Sequence, residues 1–145
     1  SWCENRAAER SPVRFSDRTS DLVLVASRSH RDDRLERLIE ALPLGSSKAV
    51  GSVGCKVATI LRGEADVYIS LSGKSAPKDW DMAAPEAVLL AAGGAFTHAD
   101  GRLLTYNTGN VRQAGCLIAS HGKAHAALED QAARAMAAID PGFPV

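Results

Sequence analysis

Apolar segments of two different periods take turns along this chain, and that alternation narrows the possible folds more than any other feature. Leu22-Val23-Leu24-Val25-Ala26 is a short continuous apolar run with β-branched residues, the pattern of a buried strand. From about Asp32 to Leu42 the positions Leu35, Leu38, Ile39 and Leu42 recur at helical spacing with charges opposite. Asp32 and Asp33 suit the positive start of that helix, and Pro43 with Gly45 is expected to stop it. A brief strand near Lys48-Ala49-Val50 leads to a helix from about Val53 to Arg62, closed by Gly63, and then to a strand from Ala65 to Leu71. Trp80-Asp81 opens the next helix, which ends at Gly93-Gly94. Strands at Ala95 to His98 and Leu117 to Ala119 and a helix from Lys123 to Ile139 complete the pattern. Strands alternating with helices predict an α/β layered sandwich, a mixed and largely parallel sheet flanked by helices.

The size of 145 residues is that of one domain with a real core. Residues 1–21 read as a connector or edge hairpin and 22–145 as the α/β domain. The opening Ser1-Trp2-Cys3, without an initiator Met, is expected of a cut from a longer polypeptide. Formal net charge is zero, which leaves no electrostatic footprint for a nucleic-acid polymer or an anionic membrane. An anionic ligand would have to be met by placed groups rather than by a basic face. No apolar run is long enough to cross a bilayer. Cys3, Cys55 and Cys116 form no metal-binding or CxxC pattern, so small apolar thiols in a reducing, cytoplasmic setting are expected.

Three segments deliver polar groups to the start of a helix, where free backbone N–H groups and the helix dipole favour an anion. In Ser27-Arg28-Ser29-His30, Ser29 and His30 can hydrogen-bond a phosphate or a base, although a capping Ser29 and a surface His30 explain the spacing as well. In Gly51-Ser52-Val53-Gly54-Cys55-Lys56 the glycines permit close backbone approach, Ser52 can cap or donate, and Lys56 lies one turn in. In Trp80-Asp81-Met82-Ala83-Ala84-Pro85-Glu86, Asp81 is either a helix cap or a hard oxygen ligand for a divalent cation. His98, His121 and His125 have no partner at ligand spacing, and a solvated face is the expectation for them.

Together and in order, Gly63-Glu64-Ala65-Asp66-Val67-Tyr68, Trp80-Asp81-Met82-Ala83-Ala84-Pro85 and Ala92-Gly93-Gly94 resemble the C-terminal signature of the inositol monophosphatase superfamily. Ser27 to His30 with Gly51-Ser52 and Lys56 looks like its 3′(2′),5′-bisphosphate nucleotidase branch. The resemblance implies that Asp81 is a ligand of Mg²⁺ and a catalytic residue, and that Ser29, His30, Gly51, Ser52, Lys56 and Asp81 hold the substrate. It implies a phosphatase removing the 3′-phosphate of adenosine 3′,5′-bisphosphate or of its sulfated form, with a role in sulfur metabolism. Lys74 and Lys78 suit a second phosphate, and Tyr106-Asn107 resembles a further loop near the substrate. The signature that supplies most metal ligands, a Glu and a later Asp-Pro-x-Asp-Gly-Thr, has no match here. The expected partner is therefore the chain's own N-terminal half, without which this half is expected to be inactive. An inositol or sugar monophosphatase, or a stand-alone nucleotide-binding domain, is the alternative.

Overall fold

The computed structural model describes residues 2–4, 10–27 and 32–145. Strands β1 (Trp2–Glu4) and β2 (Arg10–Pro12) pair antiparallel as a separate ribbon. The domain proper runs β3 (Leu22–Ala26), α1 (Asp33–Ala41), β4 (Leu44–Ala49), α2 (Val53–Leu61), β5 (Val67–Ser72), α3 (Asp79–Ala91), β6 (Ala95–His98), β7 (Gly115–Ser120) and α4 (His125–Ile139). The sheet order is β4-β3-β5-β7-β6. Parallel pairing holds on one side, where β3 meets β4 and β5, while β7 runs antiparallel to β5 and β6.

Strand alternation sends side chains to two cores. Leu22, Leu24, Val67, Ile69 and Ile118 pack under α1 and α4 with Leu35, Leu38, Leu128 and Met136. Val25, Tyr68, Leu117 and Ala119 pack on the other face under α2 and α3, with Val57, Ile60, Met82 and Leu89. The fold is thus three layers, helices on both faces of one sheet. Helix α3 ends against β7 so closely that a Cβ on Gly94 would sit 2.7 Å from the Ser120 carbonyl oxygen. Gly63 takes φ +72 to close α2, as its position after Arg62 predicts.

Two details differ from the sequence reading. Strand β4 begins at Leu44 and includes Gly45, so the turn that ends α1 is shorter than expected. An edge strand pairs on one side only, and its Ser46-Ser47-Lys48 run is exposed, which hides it from hydrophobic patterning. His121 and His125 are buried, not solvated. His125 bonds Ser120 Oγ through Nδ1 and Thr97 Oγ1 through Nε2, both at 2.8 Å, and Thr97 Oγ1 donates to Glu129. His121 Nε2 lies 3.5 Å from Asp66 Oδ1.

Candidate phosphate and cation site

A cleft of about 1310 Å³ opens over the carboxyl ends of β3 and β5. In an open α/β sheet this is where ligands bind, because successive strands hand the chain to helices whose starts point outward there. Gly51, Ser52, Lys56, Lys74, Lys78 and Asp81 all line it, so the starts of α2 and α3 face one opening. Ser29 and His30 lie outside the described residues.

Ser52 caps α2: it holds φ +49, and its Oγ accepts from the Cys55 N–H at 3.1 Å. The cap uses an acceptor lone pair and leaves the O–H to donate, while Gly51 and Gly54 stay exposed with open space where a Cβ would be. Lys56 is only 4% exposed. Its Nζ donates to Ser27 Oγ at 2.9 Å and stands 4.7 Å from the centroid of the Tyr68 ring. Burial pushes its pKa down, which marks an ammonium short of water and counter-charge.

Asp81 is exposed, three residues into α3 from Lys78. One carboxylate oxygen accepts from the Lys78 N–H at 2.9 Å, the fold's own use for an acid at a helix start. Both roles left open for it are thus compatible: cap through one oxygen, ligand through the other. Tyr68 lines the same cleft as both helix starts. Burial raises its pKa, Ser70 opposes that rise, and the Asp81 charge adds to it. The hydroxyls of Tyr68, Ser70 and Ser72 fall at every second position of β5, all lining the cleft, and Ser72 Oγ is buried without a hydrogen-bond partner. That period-two run of hydroxyls inside an apolar strand was the readable signal for these residues, and the motif reading passed over it.

Asp79 stands beside Asp81 but is spoken for. Its carboxylate accepts from Gln113 Nε2 at 2.7 Å and from the Asn107 N–H at 2.9 Å, which clamps loop 107–113 onto the start of α3. Tyr106 bonds the Glu86 carboxylate and packs against the α2–α3 core. Tyr106 and Asn107 support the wall behind the cleft and do not line it. Cys55 is exposed, contrary to a packing role, whereas Cys116 is buried as expected.

A divalent cation can be tested against this donor set. Among the described residues no three His, Cys, Asp or Glu side chains gather. One free oxygen of Asp81, beside a row of hydroxyls, fits an ion that completes its shell with phosphate, water and carboxylates from elsewhere.

A sequence model of the Inositol monophosphatase family matches residues 2–137. The 3′(2′),5′-bisphosphate nucleotidase 1 of Mus musculus is 32% identical over 99 residues, covering 67% of this chain and 32% of that protein. The 3′-phosphoadenosine 5′-phosphate phosphatase of Mycobacterium leprae is 41% identical over 59 residues, covering 41% of this chain and 21% of that one. Among solved structures, an IMPase/NADP phosphatase complexed with Mg²⁺ and phosphate superposes with TM-score 0.63 at 20% identity, over 92% of this chain and 46% of its own. The chain therefore spans about a fifth to a third of the length of these curated relatives.

Proposed function

The chain belongs to the inositol monophosphatase family, and from that premise we propose that its cleft holds adenosine 3′,5′-bisphosphate in a magnesium-dependent phosphatase. The reaction is hydrolysis of a phosphoric monoester. A water oxygen bonds to the 3′ phosphorus, the bond from phosphorus to the ribose oxygen breaks, and adenosine 5′-phosphate and inorganic phosphate leave. The observation that carries this reading is that Lys56 and Asp81, from the starts of two helices, line one cleft. The names of the mouse and mycobacterial relatives give the substrate class.

The residues take these parts. Lys56, released from Ser27, donates to the phosphate that is not cleaved, where a poorly hydrated ammonium loses little on contact. The first-turn N–H groups beside Gly51 and Ser52 add donors, and Lys74 and Lys78 add charge around them. Ser29 and His30 contact the nucleotide, as the resemblance implies. Asp81 gives one oxygen to Mg²⁺, which supplies charge stabilisation of the phosphoryl and leaving oxygens when bound. The remaining carboxylates, and the group that prepares the attacking water, belong to an N-terminal half for which residues 1–21 are the connector. Nucleotide recycling in sulfur metabolism, in the cytoplasm, is the setting that goes with this chemistry.

The test pairs two measurements on the purified 145-residue chain. Calorimetry is expected to show adenosine 3′,5′-bisphosphate binding more tightly with Mg²⁺ present than with chelator. Phosphate release is expected to be undetectable until the N-terminal half is restored. Failure of the nucleotide to bind removes the reading; turnover by the chain alone removes the shared-site part of it.

A further inference from the structure

The cleft has two ends of opposite character, on opposite faces of the sheet. The end under α2 and α3 carries Lys56, Asp81 and the helix starts. Among the described residues, the other end, past the tips of β3 and β5, is lined by Asp32, Arg34 and Leu35 at the start of α1, by Leu71, and by Phe143. Leu35 is 3% exposed and Leu71 8%, and Phe143 packs on the same α1–α4 core.

Arg34 is held there in one plane. Its Cζ lies 4.6 Å from the centre of the Phe143 ring. Nη2 and Nε reach Asp32 Oδ2 at 2.9 and 3.3 Å, and Nη1 reaches Asp140 Oδ2 at 3.2 Å. Two carboxylates compensate its single charge, so the guanidinium is a poor partner for phosphate. What it still offers is a flat, weakly hydrated face beside Leu35 and Phe143 in the cleft lining. A flat, uncharged group therefore suits this end better than a phosphate does, while the Lys56 end suits an anion.

We propose that the Arg34–Phe143 end of the cleft seats the purine base, making these two residues determinants of nucleotide specificity. This rests on the bisphosphate reading of the other end. The base stacks on the guanidinium, with its edge against Leu35 and Phe143, while the phosphates lie toward Lys56. The same phosphates without a base are bound by the Lys56 end alone.

The experiment compares adenosine 3′,5′-bisphosphate with ribose 3,5-bisphosphate by calorimetry, on the native chain, Arg34→Lys and Phe143→Ala. Arg34→Lys keeps the charge and removes the plane, so it guards against a folding defect in Phe143→Ala. The native chain is expected to favour the nucleotide by about tenfold or more, the scale of one base stack. Both variants are expected to lose that preference and keep their affinity for ribose bisphosphate. Equal binding of the two ligands by the native chain, or an equal loss of both ligands in Arg34→Lys, overturns the base seat alone. Binding of neither ligand by the native chain overturns the bisphosphate reading and the base seat with it.

Discussion

Replacing Lys56 with Met separates binding from stability. The amine is buried, its pKa is lowered by that burial, and among the described residues its hydrogen-bond partner is Ser27 Oγ. A lysine whose folded pKa lies below its unfolded value costs stability at neutral pH, and the cost fades as pH rises through the folded value. Met keeps the stem packed against Tyr68 and removes that cost. Against it stands one lost hydrogen bond worth about 1 kcal/mol. Unfolding free energy is therefore expected to stay within about 1 kcal/mol of the native chain. Binding behaves differently, because a hydrogen bond from an ammonium to phosphate is worth about 1.5–3 kcal/mol. Affinity for adenosine 3′,5′-bisphosphate is expected to fall roughly 10- to 150-fold. Urea unfolding and calorimetry on the same preparations read both numbers. Affinity within twofold of native, or a stability loss well above about 2 kcal/mol, would show that the amine serves the fold rather than the ligand.

Asp81→Asn is expected to abolish the gain in nucleotide affinity produced by Mg²⁺ while leaving metal-free binding intact, and to cost the start of α3 less than about 1 kcal/mol by urea unfolding. Asp66→Ala is expected to cost about 2–4 kcal/mol, because it orphans the Val23 N–H (2.7 Å) and breaks the bonds from Ser16 (2.5 Å) and Arg18 (2.7 Å). The same carboxyl sets an acid dependence. Burial pushes its pKa up, but the bonds from Arg18, Ser16 and the Val23 N–H outweigh burial and hold it below the usual value. Its contribution is complete above about pH 4 and is lost as pH falls through the lowered value, so Asp66→Asn should flatten the acid limb of the stability curve. Peptide mapping after brief alkylation should find Cys55 modified and Cys116 protected, since burial pushes the Cys116 thiol up to about 12.

The layered fold was legible because each buried strand and amphipathic helix carries its period in consecutive residues. Leu22 to Ala26 and the Leu35, Leu38 stripe declare themselves without tertiary help. Lys56 and Asp81 were legible as residues at helix starts that face one cleft, while the parts proposed for them come from the resemblance. What escaped depends on contacts distant in sequence. His121 and His125 are polar letters beside a helix until Asp66, Thr97 and Glu129 come round to bury them. Arg34 reads as one more surface charge until α4 brings Asp140 and Phe143 alongside it. Ser52 takes the capping role that its place before α2 offered, and its O–H proton is left to donate.

The most direct measurement is amide chemical-shift mapping of the 145-residue chain titrated with adenosine 3′,5′-bisphosphate and Mg²⁺. Perturbations are expected at both helix starts, residues 51–56 and 79–82, saturating together at one affinity. Shifts confined to one start, or clustered instead around the His125–Glu129 end of α4, would contradict a single site built from both.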